Sequence, residues 1–301
     1  MMNHRYSFQD EGRQGGTLYL VATPIGNLED MTYRAIETLK KVAVIAAEDT
    51  RQSRKLLTHF EITGPRMISY HEHNKNSKEE AILSLLRDGD SVALVSDAGT
   101  PGISDPGADI VRAAVEEGFA VVPIPGAVAG VTALIASGLP TDRFTFVGFL
   151  PREKKKRLAE LEFYKHYPDT LVFYEAPHRV EETVKALLDV LGDRQMVIGR
   201  ELTKRFEQFS RGKLSECLEW FSKDSPRGEF VVMVEGNRET GGQLENPFVE
   251  TPWWEGLNLS EHVERVVGTG VTKKEAVKIV AKERGLPKRE VYNTVMQDVN
   301  E

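Results

Sequence analysis

The stretch VSDAGTPGISDPGAD, residues 95–109, holds three glycines, two prolines and three acids (Asp97, Asp105 and Asp109) directly after an apolar run. It reads as a long loop at the end of a buried strand, SVALVS. Outward from it the same pattern recurs. TLYLVATPIG (17–26), VAVIAAEDTR (42–51), RMISYHEHN (66–74) and FAVVPIPG (119–126) are strands whose charged or glycine-rich residues gather at the C-terminal end. Helical spacing lies between them. DMTYRAIETLKKV offers Asp30 or Thr32 as N-cap, and SKEEAILSLLRDG offers a capping box from Ser77 and Glu80 with a stop at Gly89. Ser104 or Asp105 is predicted to cap a helix with Pro106 in its first position. AVAGVTALIASGL reads as a small-residue helix. Strands alternating with helices predict a largely parallel sheet. The ligand then belongs beyond the carboxyl ends of the strands, where TPIGN, EDTRQS, SDAGTPG and PGAVAG fall together.

A second α/β pattern starts near Asp142, with strands FTFVGFL, TLVFYEA, QMVIGREL, EQFSRGKL and EFVVMVEG. The expected organisation is a loose polar tail (1–15), an α/β domain carrying the loops (16–125) and a second α/β domain (126–236). A linker (237–258) and a small helix-turn-helix-like module (259–301) follow. In the linker, Trp253 and Trp254 are expected to dock on a neighbour. In the module, Ala276, Ile279, Val280, Val291 and Val295 should form the core, leaving Lys273, Lys274, Lys278, Lys282 and Lys288 outside.

With 301 residues, 40% hydrophobic and 28% charged, the chain has the composition of an ordinary globular protein. Its apolar runs fall far short of the ~20 residues of a membrane-spanning helix. The single Cys217 sits in an apolar-periodic stretch as a small buried hydrophobe. A net charge of −7 argues against an indiscriminate nucleic-acid coat, yet residues 151–157, 200–213 and 272–289 are locally basic. Neither G-x-G-x-x-G nor a P-loop occurs, nor a G-x-S-x-G elbow, and no Cys/His cluster has metal spacing; His71 and His73 alone are a weak signal.

TLYLVATPIGNLEDMTYRAIETL, AAEDTRQSRKLL, VSDAGTPGISDPG, IPGAVAGVTAL, FYEAPHR and RELTKRFEQF occur in one order and spacing from about Gly16 to Gly236. Together they resemble the bacterial 16S ribosomal RNA cytidine-2′-O-methyltransferase family, within the tetrapyrrole methylase superfamily; no motif of the set is lost. The resemblance implies a two-domain fold with S-adenosylmethionine in the interdomain cleft. It also implies a homodimer in the cytoplasm, no metal, and a decoding-centre cytidine of 16S rRNA in the small ribosomal subunit as substrate. This architecture differs from the Rossmann-type methyltransferase, which accounts for the missing glycine fingerprint.

By the same resemblance, Pro24, Gly26, Asn27, Asp97, Gly99, Thr100, Val128, Ala129 and Tyr174 edge the cofactor, with backbone contacts from Gly99 and Thr100. Arg51, Arg179, Arg200 and Lys204 face the RNA. Glu48, Asp49, Glu175 and His178 are the candidates for a general base, and the sequence does not choose among them. Two rival readings stay open: a sister methylase acting on a tetrapyrrole-like small molecule, and a non-catalytic RNA-binding assembly factor.

Overall fold

The computed structural model describes residues 15–223, 225–237, 253–254 and 256–297. The tail and most of the linker read from the sequence lie outside them.

Five parallel strands form the first sheet: β1 (Thr17–Val21), β2 (Val44–Ala47), β3 (Arg66–Ser69), β4 (Val92–Val95) and β5 (Ala120–Ile124), in the order β3-β2-β4-β1-β5. β2 and β4 are buried throughout because helices cover both faces. On one face, α1 (Tyr33–Lys41) and α2 (Thr50–His59) set Ala35, Leu39 and Leu57 against Val21, Ile45 and Val95. On the other, α3 (Lys75–Arg87) and α4 (Ala108–Glu116) set Ile82, Leu86 and Ile110 against Leu18, Val44 and Leu94.

Two of the three helix starts read from the sequence in this sheet shift in the structure. Thr32 caps α1 as expected, its hydroxyl accepting from the Ala35 amide at 3.2 Å. The capping box expected at Ser77 and Glu80 does not form. Asn74 instead closes the preceding turn by accepting from the His71 amide at 2.8 Å, and α3 begins at Lys75. Glu80 pairs with Arg87. Nor do Ser104 and Asp105 cap α4, whose N-cap is Gly107 at φ +150°. A Cβ there would stand 3.0 Å from Leu94 Cδ2 and 3.2 Å from the Gly102 amide, so the loop runs on to the one residue that fits. Asp105 is thereby left inside the loop.

The second sheet is mixed. It contains β6 (Phe144–Phe149), β7 (Thr170–Glu175), β8 (Gln195–Arg200), β9 (Gln208–Lys213) and β10 (Phe230–Val234), ordered β6-β7-β10-β8-β9. β6 and β7 are parallel and the other pairs antiparallel. Alternation along β10 sends Val231 and Met233 toward α5 (Ala129–Ser137). Phe230, Val232 and Val234 point into the core beneath α6 (Lys154–Tyr164), α7 (Val180–Leu191) and α8 (Leu214–Lys223). Cys217 of α8 packs against that core, and burial pushes its thiol up to about 12. Native protein near pH 8 should therefore resist iodoacetamide and react only once denaturant opens the second core. Rapid alkylation of the native chain would put the thiol at the surface.

The C-terminal unit contains α9 (Leu259–Val267), α10 (Lys273–Glu283) and α11 (Lys288–Gln297), the first two started by capping boxes at Asn258/Glu261 and Thr272/Glu275. Ala276, Val277, Val280, Val291 and Val295 are buried together with Val263 and Val266. Ile279, expected in this core, is exposed, and Val277 takes the inward position. Trp254 stacks on His262, with ring centres 5.4 Å apart, and lies under the Arg284 guanidinium at 4.9 Å. Trp253 meets the same His262 edge-on. The tryptophans thus fasten the end of the linker to this unit. No helix among the described residues is long and apolar enough to cross a membrane.

Candidate active site

A cleft of 610 Å³ opens where the loops after β1, β2, β4 and β5 meet the ends of β7 and β10. The β1 and β4 loops are tied together by a reciprocal backbone pair, Thr23 N–H to Gly99 O at 2.8 Å and Gly99 N–H to Thr23 O at 3.1 Å. Gly99 lines the cleft, yet both its backbone groups are taken by Thr23. These groups brace the two loops against each other. Thr100 also lines the cleft and donates its hydroxyl to Ala127 O, which holds the β5 loop beside it. Val128 and Ala129 follow on the wall, at the start of α5.

Tyr174 closes the far side. Its hydroxyl accepts from the Gly130 amide at 2.9 Å, in the first turn of α5, and its ring meets Phe146 and Phe149 edge-on. Burial raises the phenol above its ordinary value. Phe149, more than half exposed, is an apolar wall that the sequence marks only as part of a strand.

Five acidic residues line the cleft, and three of them, Glu48, Asp97 and Asp105, interact with one another. Asp97 accepts from the Asp49 amide at 2.9 Å, which fixes the β2 loop against the β4 loop. Partial burial, then repulsion from Asp97, raises Glu48 above the usual carboxylate range. Burial, then repulsion from Glu48, pushes Asp105 up to about 6, although a hydrogen bond from Ser96 works the other way. Like charges held together out of water favour a bound cation or a proton. In the sequence Asp105 is visible as one of three acids in the loop and as a candidate helix cap; in the structure that loop contains four left-handed residues, Gly99, Gly102, Ser104 and Gly107.

The remaining predicted residues divide. His178 is exposed and lines the cleft. Pro24 and Gly26 line an adjoining opening of 420 Å³, which shares Ile25, Asp97, Ala98 and Glu229 with the main cleft. Gly26 is bare because the loop after β8 lies on it: a Cβ would come within 2.5 Å of Lys204 Cγ and 3.0 Å of Leu202 O. Asn27 caps a short 3-10 turn through its side chain, and its amide donates to Thr203 Oγ1, so it braces the loops and lines neither opening. Lys204 reaches that adjoining opening while paired with Glu201 and Glu229.

Three assignments change in character. Asp49 caps α2 and holds Arg51 through two side-chain hydrogen bonds, and these contacts keep its carboxyl down at about 2, too acidic for a base. Glu175 has a side chain 0% exposed, and its oxygens accept from the Thr183 hydroxyl at 2.6 Å and the Ala176 amide at 2.9 Å, beside Arg179 at 3.5 Å. It is a loop anchor with its acceptors in use. Arg179, 14% exposed, donates to Leu150 O at 2.8 Å and turns inward. By contrast the Arg51 side chain is 85% exposed on a basic surface with Arg54, Lys55 and His59. Arg200 is half-buried, with its Nε lacking a hydrogen-bond partner.

Residues 17–218 match the family of tetrapyrrole (corrin/porphyrin) methylases. Two relatives, each called ribosomal RNA small subunit methyltransferase I, are 52% identical to the chain. That of Halalkalibacterium halodurans aligns over 99% of this chain and 100% of its own length. That of Bacillus subtilis aligns over 97% and 98%. The chain belongs to the ribosomal RNA small subunit methyltransferase I family. It is an enzyme, a methyltransferase dependent on S-adenosylmethionine. Solved structures agree on the fold. The methyltransferase CobJ superposes with a TM-score of 0.56 at 17% identity, over 74% of this chain and 95% of that one. A Thermus thermophilus uroporphyrin-III C-methyltransferase, solved with S-adenosylhomocysteine, gives 0.52 at 22%, over 73% and 97%.

The cleft of this family member fits such a donor on its own chemistry. Its volume lies within the ~300–1,000 Å³ of small-molecule sites. Ile25, Ile103, Val128, Leu202 and Val231 give apolar walls for a purine, with Phe149 and Tyr174 as flat faces. Three crowded carboxylates supply negative charge, and among the described residues no Lys or Arg shares the cleft wall with them.

Proposed function

We propose that the chain methylates the ribose 2′-hydroxyl of a decoding-centre cytidine in 16S rRNA, acting in the cytoplasm as a homodimer on an assembled or nearly assembled small subunit. The observation that carries the substrate is the 52% identity, over nearly the whole length, to enzymes named for small-subunit ribosomal RNA. S-adenosylmethionine, when bound, supplies a methyl carbon on a positively charged sulfur, already activated for displacement.

The residues of the chain bind and align. Asp97, Glu48 and Asp105 hold positive charge in the cleft, while Val128, Ala129 and Tyr174 pack against the remainder of the donor. The adjoining opening, with Lys55, Lys204, Pro24 and Gly26 around it, receives the acceptor strand. Arg51 and Arg54 then meet phosphates at the rim. A carboxylate oxygen of Glu48 or Asp105, or a ring nitrogen of His178, takes the 2′-hydroxyl proton. A base poised near neutrality suits that task, which favours Asp105, pushed up to about 6. Fixed geometry between donor and acceptor supplies most of the remaining advantage.

The test is transfer of labelled methyl to small subunits from a strain lacking this enzyme, followed by nucleoside digestion. The label should appear as 2′-O-methylcytidine. Label on a base, or on a tetrapyrrole and not on RNA, would overturn the reading. Arg51→Ala should leave donor affinity intact and weaken subunit binding, with a salt slope shallower by about 0.7–0.9 for each phosphate that the side chain neutralises. Loss of donor affinity in that variant would move Arg51 into the cofactor site.

A further inference from the structure

Four cations and a tyrosine share one groove in the C-terminal unit. Lys273 and Lys274 open α10, Lys288 and Arg289 open α11, and all four line a groove of 720 Å³. Val277, Val295 and the half-exposed Tyr292 provide its apolar surface. Among the described residues no acid lines it, and none of the four cations has a carboxylate partner.

Helix stability does not explain this placement. The amide end of a helix carries partial positive charge, so first-turn positions favour acids and disfavour cations. Here two helix starts each carry a pair of cations, and both pairs border one groove. Their potentials add, and the matching ligand is a polyanion. Tyr292 lies four residues after Lys288 and three after Arg289, on the same face of α11. An aromatic ring set among cations suits a strand with unpaired bases, which stack on it while the phosphates track the charges.

We propose that this groove binds single-stranded RNA, with phosphates against Lys273, Lys274, Lys288 and Arg289 and a base stacked on Tyr292. The inference rests on the reading that the substrate is ribosomal RNA: the chain then grips its substrate at a second place, independent of the donor cleft.

The test uses the full-length chain and a fluorescent oligocytidine of about twelve nucleotides, followed by anisotropy over a salt series. Exchanging both Lys273 and Lys288 for Ala should lower affinity and make the salt slope shallower by about 1.4, the value for two single-strand phosphates. Tyr292→Ala should weaken binding about tenfold at every salt concentration, and Tyr292→Phe should restore it. Donor affinity should be unchanged in every variant, and an unchanged far-UV circular dichroism spectrum and melting profile should report that the helical unit is intact. Unchanged oligonucleotide binding in all variants would overturn the proposal. So would displacement of the RNA by polyglutamate at equal charge concentration, which would make the groove a site for acidic peptides. Groove variants that bind RNA normally while the wild type methylates small subunits would sink the groove alone. Groove variants that lose RNA binding, in a chain that methylates no ribosomal RNA, would sink the substrate reading alone.

Discussion

Asp105→Asn is expected to weaken S-adenosylmethionine binding about tenfold to a hundredfold near pH 7.5, the scale of removing one charge-assisted hydrogen bond. In the unfolded chain this carboxyl ionises near 3.8, and in the folded, donor-free chain at about 6, so folding favours its protonated form. The stability it contributes is full below about 4 and is lost as the pH rises through about 6. A cationic donor reverses that preference, because it favours the ionised carboxylate. Donor affinity should therefore climb as the pH rises through about 6 and then level off, and the thermal shift on adding donor should be larger near pH 7.5 than near pH 5.5. In Asp105→Asn the climb should flatten. Calorimetric titration across that range measures both effects. A wild-type affinity independent of pH would remove Asp105 from the donor site.

The second large effect is expected at Glu175, where two roles predict opposite outcomes. As a buried anchor, its replacement by Ala strands Arg179 beside a vacated pocket and removes the acceptor of Thr183 and Ala176. Breaking such a network costs about 3–5 kcal/mol. For a unit of this size that lowers the melting temperature on the order of 10 °C. Glu175→Gln keeps one acceptor for Thr183, so it should be destabilised less and retain measurable methyl transfer. A Gln variant of native stability with turnover down a thousandfold would restore Glu175 as the base.

Much of this was legible in the sequence, for identifiable reasons. β2, β4 and β10 are buried on both faces, so they appear as unbroken apolar runs, β10 as FVVMV. The carboxyl-end loops were marked by the glycines and acids that end each run. Helix starts were harder, because caps are decided by which loop closes first: Asn74 displaced the Ser77 box, and Gly107 pushed α4 past Asp105. The same limit affected the site. Motif resemblance identified Glu175 and Arg179, yet only coordinates show that they satisfy each other and their loops. Asp49 and Arg51 likewise pair side by side, whereas Asp105 is brought to Glu48 by loop geometry that no spacing rule encodes. Gly26 was expected to edge the cofactor, and the neighbour that requires its bare backbone is the loop after β8.

The central claim, that the cleft between the two sheets is the donor site, is tested most directly by hydrogen exchange with and without S-adenosylmethionine. Binding should slow exchange in the segments around Asp97–Asp105, Val128–Gly130 and Tyr174–His178, and leave α9, α10 and α11 unchanged. Protection confined to other segments, with these three exchanging as in the free chain, would contradict it.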